Sequence, residues 1–177
     1  MTDATPHEIL HPKHWRAAKG YANGVAATGR MVFTGGIIGW NADQQFETDD
    51  FAGQVAQALR SIVEILHEAG AQPHHLTRLT WYVTDKHEYL GALREIGAAY
   101  RETLGRHYPA MALVQVVALV EDRAKVEIEA TAVIPVPPPA MGGVVTAAVE
   151  HEDAANSDAA NSGSVVPIAR AKTDRGA

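Results

Sequence analysis

Two glutamates near the end of the patterned part of this sequence, Glu127 and Glu129, have the residue type that acid–base chemistry needs. They stand two apart in Lys125-Val126-Glu127-Ile128-Glu129, so a strand carries both on one face. A carboxylate held beside an electrophilic carbon can orient a water molecule for attack. From the residues alone, the same alternation describes an outward, solvated pair. Gly35-Gly36 interrupts a β-rich run, which marks a bulge or a close backbone approach. Histidines occur as His74-His75 and, at i, i+3 spacing, as His11 and His14. A zinc site requires further ligands in fixed geometry, and no acidic or histidine set of recognisable spacing supplies them. These read as loop histidines without a metal. There is no cysteine, which excludes disulfides, thiolate metal sites and a cysteine nucleophile. No phosphate-binding loop, Gly-x-Ser-x-Gly elbow or dinucleotide fingerprint is present, so no cofactor is expected.

The elements that would position these residues follow from periodicity. Ala22–Ala27 and Met31–Ile38 are short β-rich runs around Thr28-Gly29-Arg30, a pattern that predicts a hairpin. Asp49 and Asp50 supply the cap and first-turn carboxylates of a helix. Its apolar stripe is Phe51, Val55, Leu59, Ile62, Val63 and Leu66, and Gly70 ends it. Leu76–Thr84 reads as a strand with Leu79, Trp81 and Val83 on one face. Asp85 opens a second helix to about Leu104, with Leu90, Leu93, Ile96, Tyr100 and Leu104 as its buried side and Gly105 as its stop. Ala112–Leu119 and Lys125–Ile134 complete the order β-β-α-β-α-β-β.

This patterned domain covers residues 20–135. Residues 1–19 form an irregular leader, broken by Pro6 and Pro12. Residues 136–177 begin proline-rich and continue into a repeated Asp-Ala-Ala-Asn-Ser. Such a segment has too little apolar surface to offset its ordering entropy, and a mobile tail is expected.

The whole chain has 177 residues, 46% hydrophobic and 20% charged, and a formal charge of -6. That balance suits a single globular domain. No run of basic residues appears, so the electrostatic footprint of a nucleic-acid binder is missing. No apolar stretch approaches the length needed to span a bilayer, and no signal peptide is visible. The expectation is a cytoplasmic protein with neither membrane nor nucleic acid as a partner. Two helices cover only one face of a sheet, and Val114, Val116, Val126 and Ile128 would need burial on the other. A symmetric oligomer packing sheet against sheet provides it.

At Met31–Ile38 (MVFTGGII), Thr80–Asp85 (TWYVTD), Tyr108–Ala110 (YPA) and Lys125–Ala132 (KVEIEATA) the sequence resembles the Rid family, also called YjgF-like and, in an older name, L-PSP endoribonuclease. Tyr21, in Gly20-Tyr21-Ala22, matches an early family segment. The resemblance covers roughly residues 20–134. It implies an α+β fold of chorismate-mutase-like type, with two helices on one face of the sheet, closing into a homotrimer around a central barrel. It also implies three inter-subunit clefts that bind a small molecule. Family enzymes hydrolyse 2-aminoacrylate and related enamines or imines there, to a ketoacid and ammonia, without metal or organic cofactor.

Residue by residue, the resemblance implies that Glu127 positions the attacking water, with Glu129 ranked behind it. It implies that Gly35 and Gly36 offer backbone N–H groups to a substrate oxygen, and that Tyr21 closes over the cleft. Met111 departs from the pattern. Deaminase-competent members carry an arginine after Pro-Ala, whose planar fork grips the substrate carboxylate; methionine has no donor. Arg94, Arg106, Arg16 and Lys19 are the cations that could replace it. Otherwise the ligand is more apolar, with Met111, Leu113, Ile37 and Trp40 shaping the wall. The expectation is an enamine or imine deaminase-like hydrolase whose substrate differs from 2-aminoacrylate. The alternative is a non-catalytic trimer binding a small molecule or partner. A ribonuclease is disfavoured by the acidic chain.

Overall fold

The computed structural model describes residues 4–136. The tail proposed for 136–177 therefore lies almost wholly outside the described residues. Seven strands, β1 (Glu8–Leu10), β2 (Gly24–Ala26), β3 (Arg30–Phe33), β4 (Ile37–Ile38), β5 (Leu76–Val83), β6 (Ala110–Gln115) and β7 (Val126–Ile134), are joined by α1 (Phe51–Glu68), α2 (Lys86–Gly91) and α3 (Leu93–Leu104). The main sheet runs β3-β7-β5-β6, with β4 also on β7. Its pairs are antiparallel except β5–β6, which is parallel and so needs the crossover that α2 and α3 supply. The architecture is α+β.

The last strand in sequence is central in space, and its alternation fixes the two faces of the sheet. Val126, Ile128, Ala130 and Ala132 are buried, while Glu127, Glu129 and Thr131 point the other way. On β5, Leu76, Leu79, Trp81 and Val83 join the buried set. The stripe Phe51, Val55, Leu59, Ile62 and Leu66 of α1 lies on them, each fully buried large aliphatic stabilising the fold by roughly 1.5–3 kcal/mol. Asp50 caps α1 by accepting from the Gly53 N–H at 2.8 Å. One buried polar side chain ties helix to sheet. Gln54 donates through Nε2 to the Arg123 carbonyl at 2.9 Å and accepts from the Lys125 N–H at 2.9 Å. This anchors the start of β7 and so sets its register.

The structure corrects several expectations. β2 and β3 do not pair as a hairpin: β2 pairs with β1, and β3 pairs with β7. Long-range partners outweighed the local turn, whose flanking strands are only three and four residues long. The leader is therefore not wholly irregular, because Glu8–Leu10 forms a strand. The second helix is broken at Ala92 into α2 and α3. The break follows Gly91, a weak helix former, and rotates the stripe. Ile96, Tyr100 and Leu104 remain buried, whereas Leu90 and Leu93 are 54% and 49% exposed. Val126 and Ile128 face the helices rather than the opposite side. That open face instead carries Met31, Phe33 and Val114 as its exposed apolar residues.

Candidate functional site

The expected site residues fall into two groups on opposite faces of the sheet. On the open face, β3 pairs with β7 through Phe33 and Thr131, and β4 resumes at Ile37 opposite Ile128. Four steps on one strand thus match three on the other. The extra residue is a bulge at Gly35-Gly36, held by Thr34, whose N–H donates to the Ala130 carbonyl and whose Oγ1 accepts from the Ala130 N–H, both at 2.9 Å. The Glu127 carboxylate lies against Gly36, where any Cβ would overlap it. Around Gly35, by contrast, a side chain would meet open space. The bulge and the close approach inferred from the glycine pair are both present.

Glu127 and Glu129 differ in what engages them. The Tyr82 hydroxyl donates to Glu129 Oε2 at 3.1 Å, and this bond, ahead of other causes, raises the phenol above its ordinary 10.0. Glu127 has no side-chain hydrogen bond among the described residues. Arg78, Thr80 and Tyr82 share the open face with both glutamates. The sequence reading passed over Tyr82, although the period-2 alternation around Leu79, Trp81 and Val83 already placed it there.

The second group lies on the helix side, around a cavity of about 250 Å3. Met111 lines it, because the parallel register sets Met111 beside Leu79 on the core face. Tyr21 reaches the same cavity. The Ala22 N–H donates to the Pro109 carbonyl at 2.9 Å, and Ala22 bridges to Ala110. This splices the chain next to the Tyr-Pro-Ala-Met segment, and Gly20, at φ +79°, supplies the left-handed turn that brings it in. Tyr100 and Tyr108 stack at 5.5 Å between centroids and 11° between planes. The Tyr100 hydroxyl donates to the His107 carbonyl at 2.9 Å. Burial holds Tyr100 and Tyr89 above the ordinary phenol range, so both remain neutral hydrogen-bonding groups. Trp81 lines the cavity, and Lys19 and Arg101 are its charged residues.

The remaining candidates sit elsewhere. Ile37 and Leu113 pack against the core and line neither this cavity nor the larger one described below. Arg94 is exposed on α3 outside both, and Trp40 packs on Phe46 in the β4–α1 connection. Arg106 lines the larger cavity, about 760 Å3, which lies beneath the leader with His11, His74 and His107. The smaller cavity is the one that holds Met111 and Tyr21 together. Of the replacement cations considered, Lys19 is at the cavity. Arg101 was missed; its position one turn beyond Gly97, on the same face as Tyr100's neighbours, becomes visible only once α3 is phased by its break. Among the described residues no three metal-ligating side chains cluster, and no helix is long and apolar enough to cross a membrane.

Known proteins share this architecture. The profile of the Endoribonuclease L-PSP family matches residues 12–134. A RutC family protein of Pasteurella multocida is 28% identical over 126 residues, spanning 71% of this chain and 97% of the relative. Among solved structures, the chain is similar to YyfB of Yersinia pestis, a Rid family protein of unknown function, with 27% identity, a TM-score of 0.65 and coverage of 72% of this chain and 98% of that one. It is also similar to RidA from an Antarctic Psychrobacter, with 26% identity, a TM-score of 0.52 and coverage of 71% and 98%.

Proposed function

The chain belongs to the Endoribonuclease L-PSP family, the Rid or YjgF-like family, and from that premise we propose that it is an enamine or imine deaminase-like hydrolase acting on a small reactive intermediate. In this reaction water adds to the iminium carbon, a proton moves to nitrogen, and the C–N bond breaks to leave a carbonyl compound and ammonia. The protein must hold a water and orient the imine. The observation that carries the reading is Glu127. Its carboxylate rests against the backbone of Gly36, where any side chain would push it aside, and it is left without a side-chain partner while Glu129 is engaged by Tyr82.

The geometry adds a condition. Glu127 and Met111 occupy opposite faces of one sheet, so a single chain does not present both to one ligand. A site using both draws them from two copies, which is the arrangement expected of clefts in a homotrimer. The substrate differs from 2-aminoacrylate, since Met111 offers no donor to a carboxylate. Met111 is also what favours a second reading, a trimer that binds a small molecule without turning it over. The family's ribonuclease label gains no support from a chain of charge -6.

Ammonia release measured over a panel of enamine-forming amino acids, each presented with the enzyme that generates its enamine, tests the reading. At least one substrate should be hydrolysed, and Glu127→Gln should lower the rate on the order of 10² or more, as for loss of a positioned acid–base group. No release above background from any substrate leaves the binding protein as the better account.

A further inference from the structure

The described part of the leader, residues 4–19, is anchored in the body of the domain by a histidine. Every side chain along it is exposed or half-buried except His7, which is 9% exposed. An aliphatic residue could fill the same place without a proton-dependent charge. The rest of the attachment is slight. It comprises a three-residue ladder from β1 to β2 and the exposed His11, whose Nδ1 accepts from Asn23 Nδ2 at 3.0 Å. A segment so lightly packed opens locally, well before the core does. Beneath it lies the cavity of about 760 Å3.

His7 sits among three more imidazoles. The rings of His74 and His75 stand 4.2 Å apart between centroids. Burial first, and then His74, His7 and His107, hold His75 below its ordinary 6.5. Burial, opposed by the bond to Leu76 and helped by His7 and His74, does the same to His107. The other charged residue lining the cavity with His74 and His107 is Arg106. Glu8 beside His7, Glu68 at the end of α1 and Glu102 on the last turn of α3 are exposed and act on neither His75 nor His107.

Hydrogen bonding fixes where the protons stand. A carbonyl only accepts, so Nε2 carries the hydrogen in His7, bonded to the His75 carbonyl at 3.2 Å, and in His107, bonded to the Leu76 carbonyl at 2.7 Å. The Gln72 N–H donates to His75 Nδ1 at 3.0 Å. A proton arriving on neutral His75 must take Nδ1 and break that bond, inside the Pro73–His75 turn whose last carbonyl His7 grips.

We propose that the leader is an acid-released strap: proton uptake by the imidazole cluster frees it from the body and uncovers the cavity beneath, while the sheet and α1 stay folded. Docking keeps His75 and His107 neutral, and release returns them toward the ordinary 6.5. The released form therefore binds more protons below that pH. Docking is intact above about 6.5 and is lost as pH falls from there toward the docked values. Tyr21 and Tyr108 line both this cavity and that of Met111, so the strap controls access to a shared wall of the candidate site. None of this depends on what that site binds.

Amide hydrogen exchange of the full-length protein at pH 7.5 and 5.5, corrected for the intrinsic effect of pH on exchange, tests it. Protection of Glu8–Leu10 should fall roughly tenfold or more at pH 5.5 while that of β5 and β7 stays. The imidazole resonances of His75 and His107 should titrate with the midpoint of leader release. His7→Gln combined with His107→Gln keeps a donor for each carbonyl and removes two titrating groups, so the pH effect should shrink. Leader protection unchanged at pH 5.5 overturns the proposal. So does a loss shared equally by β5 and β7, which is unfolding of the whole domain, and so does an undiminished pH effect in the double variant. Should that variant lack a docked leader even at pH 7.5, the wild type still decides: release that does not follow the histidine resonances overturns the strap.

Discussion

Methionine at position 111 presents the cavity with a polarizable thioether where the Rid pattern has a guanidinium. If the water-positioning half of the cleft is intact and only the carboxylate anchor has changed, Met111→Arg should create or raise hydrolysis of 2-aminoacrylate over a negligible wild-type rate. Adding Glu127→Ala should abolish the gain, because an anchored imine would still lack its poised water. Ammonia or pyruvate release from the wild type, the single and the double variant reads this directly. A trimeric but inert Met111→Arg would mean that the cleft has diverged beyond its anchor. Gly36→Ala probes the other half. Its methyl would displace the Glu127 carboxylate, and a displacement of about 1 Å at a reacting group costs on the order of 10² in rate. Turnover should fall by about that factor with the fold retained. At this scale the sequence was informative about the face that Glu127 takes and about the glycine pair, whose interruption of a β-rich run implied the bulge. It was silent about which face Met111 takes, because the β5–β6 register comes from a crossover and not from anything adjacent to Met111.

Among the elements, α1 and β7 were legible because each repeats one period along its length, and β5 because it alternates from Leu79 to Val83 after an irregular start. The short strands were not. β2 offered too few residues to declare a partner, and the leader strand that pairs with it lies among prolines and histidines. That leader is held through side chains as well as its ladder. His7 Nε2 lies 3.2 Å from the His75 carbonyl; within the domain itself, His107 Nε2 lies 2.7 Å from the Leu76 carbonyl. Burial is the main cause that depresses both His107 and His75 below the ordinary 6.5. For His107 the hydrogen bond to Leu76 acts the other way, and for His75 the neighbouring His74 adds to the depression. A depressed histidine is neutral in the folded state while the unfolded chain takes up a proton below about pH 6.5. Its contribution is therefore intact above 6.5 and lost as pH falls from there toward the folded value. Thermal melts should show lower stability at pH 5.5 than at 7.5, and His107→Gln, which keeps a donor for Leu76, should shrink the difference. An unchanged difference would mean that other groups govern the acid limb. In the core of the same layer, Leu59→Ala should cost about 2–5 kcal/mol in denaturant unfolding, since Leu59 is fully buried beneath the sheet.

At the scale of the whole molecule, a cleft that used both Glu127 and the cavity of Met111 would need more than one copy of the chain. Phe33 is 65% exposed and Met31 56% on the open face, and Leu90 and Leu93 are uncovered at the α2–α3 break, so apolar surface remains for subunit contacts. Sedimentation equilibrium at micromolar concentration should give a trimer, and a compact stable monomer would remove the premise. Composition of the site is tested separately, by mixing. Glu127→Ala removes the open-face half, and Tyr21→Ala removes the cavity half. If each cleft takes Glu127 from one copy and Tyr21 from the next, either variant alone is inactive in all its clefts. A trimer containing both kinds of subunit then regains about one intact cleft in three. Co-expression with two different tags and purification through both yields such trimers, and their ammonia release should approach about a third of the wild-type value. If instead both residues serve a ligand bound within one subunit, no mixed trimer contains an intact site and activity stays at the level of the parents. Recovery would tie the two faces of the sheet into one reacting centre; its absence, with trimers verified and both parents inactive, would refute a cleft shared between copies.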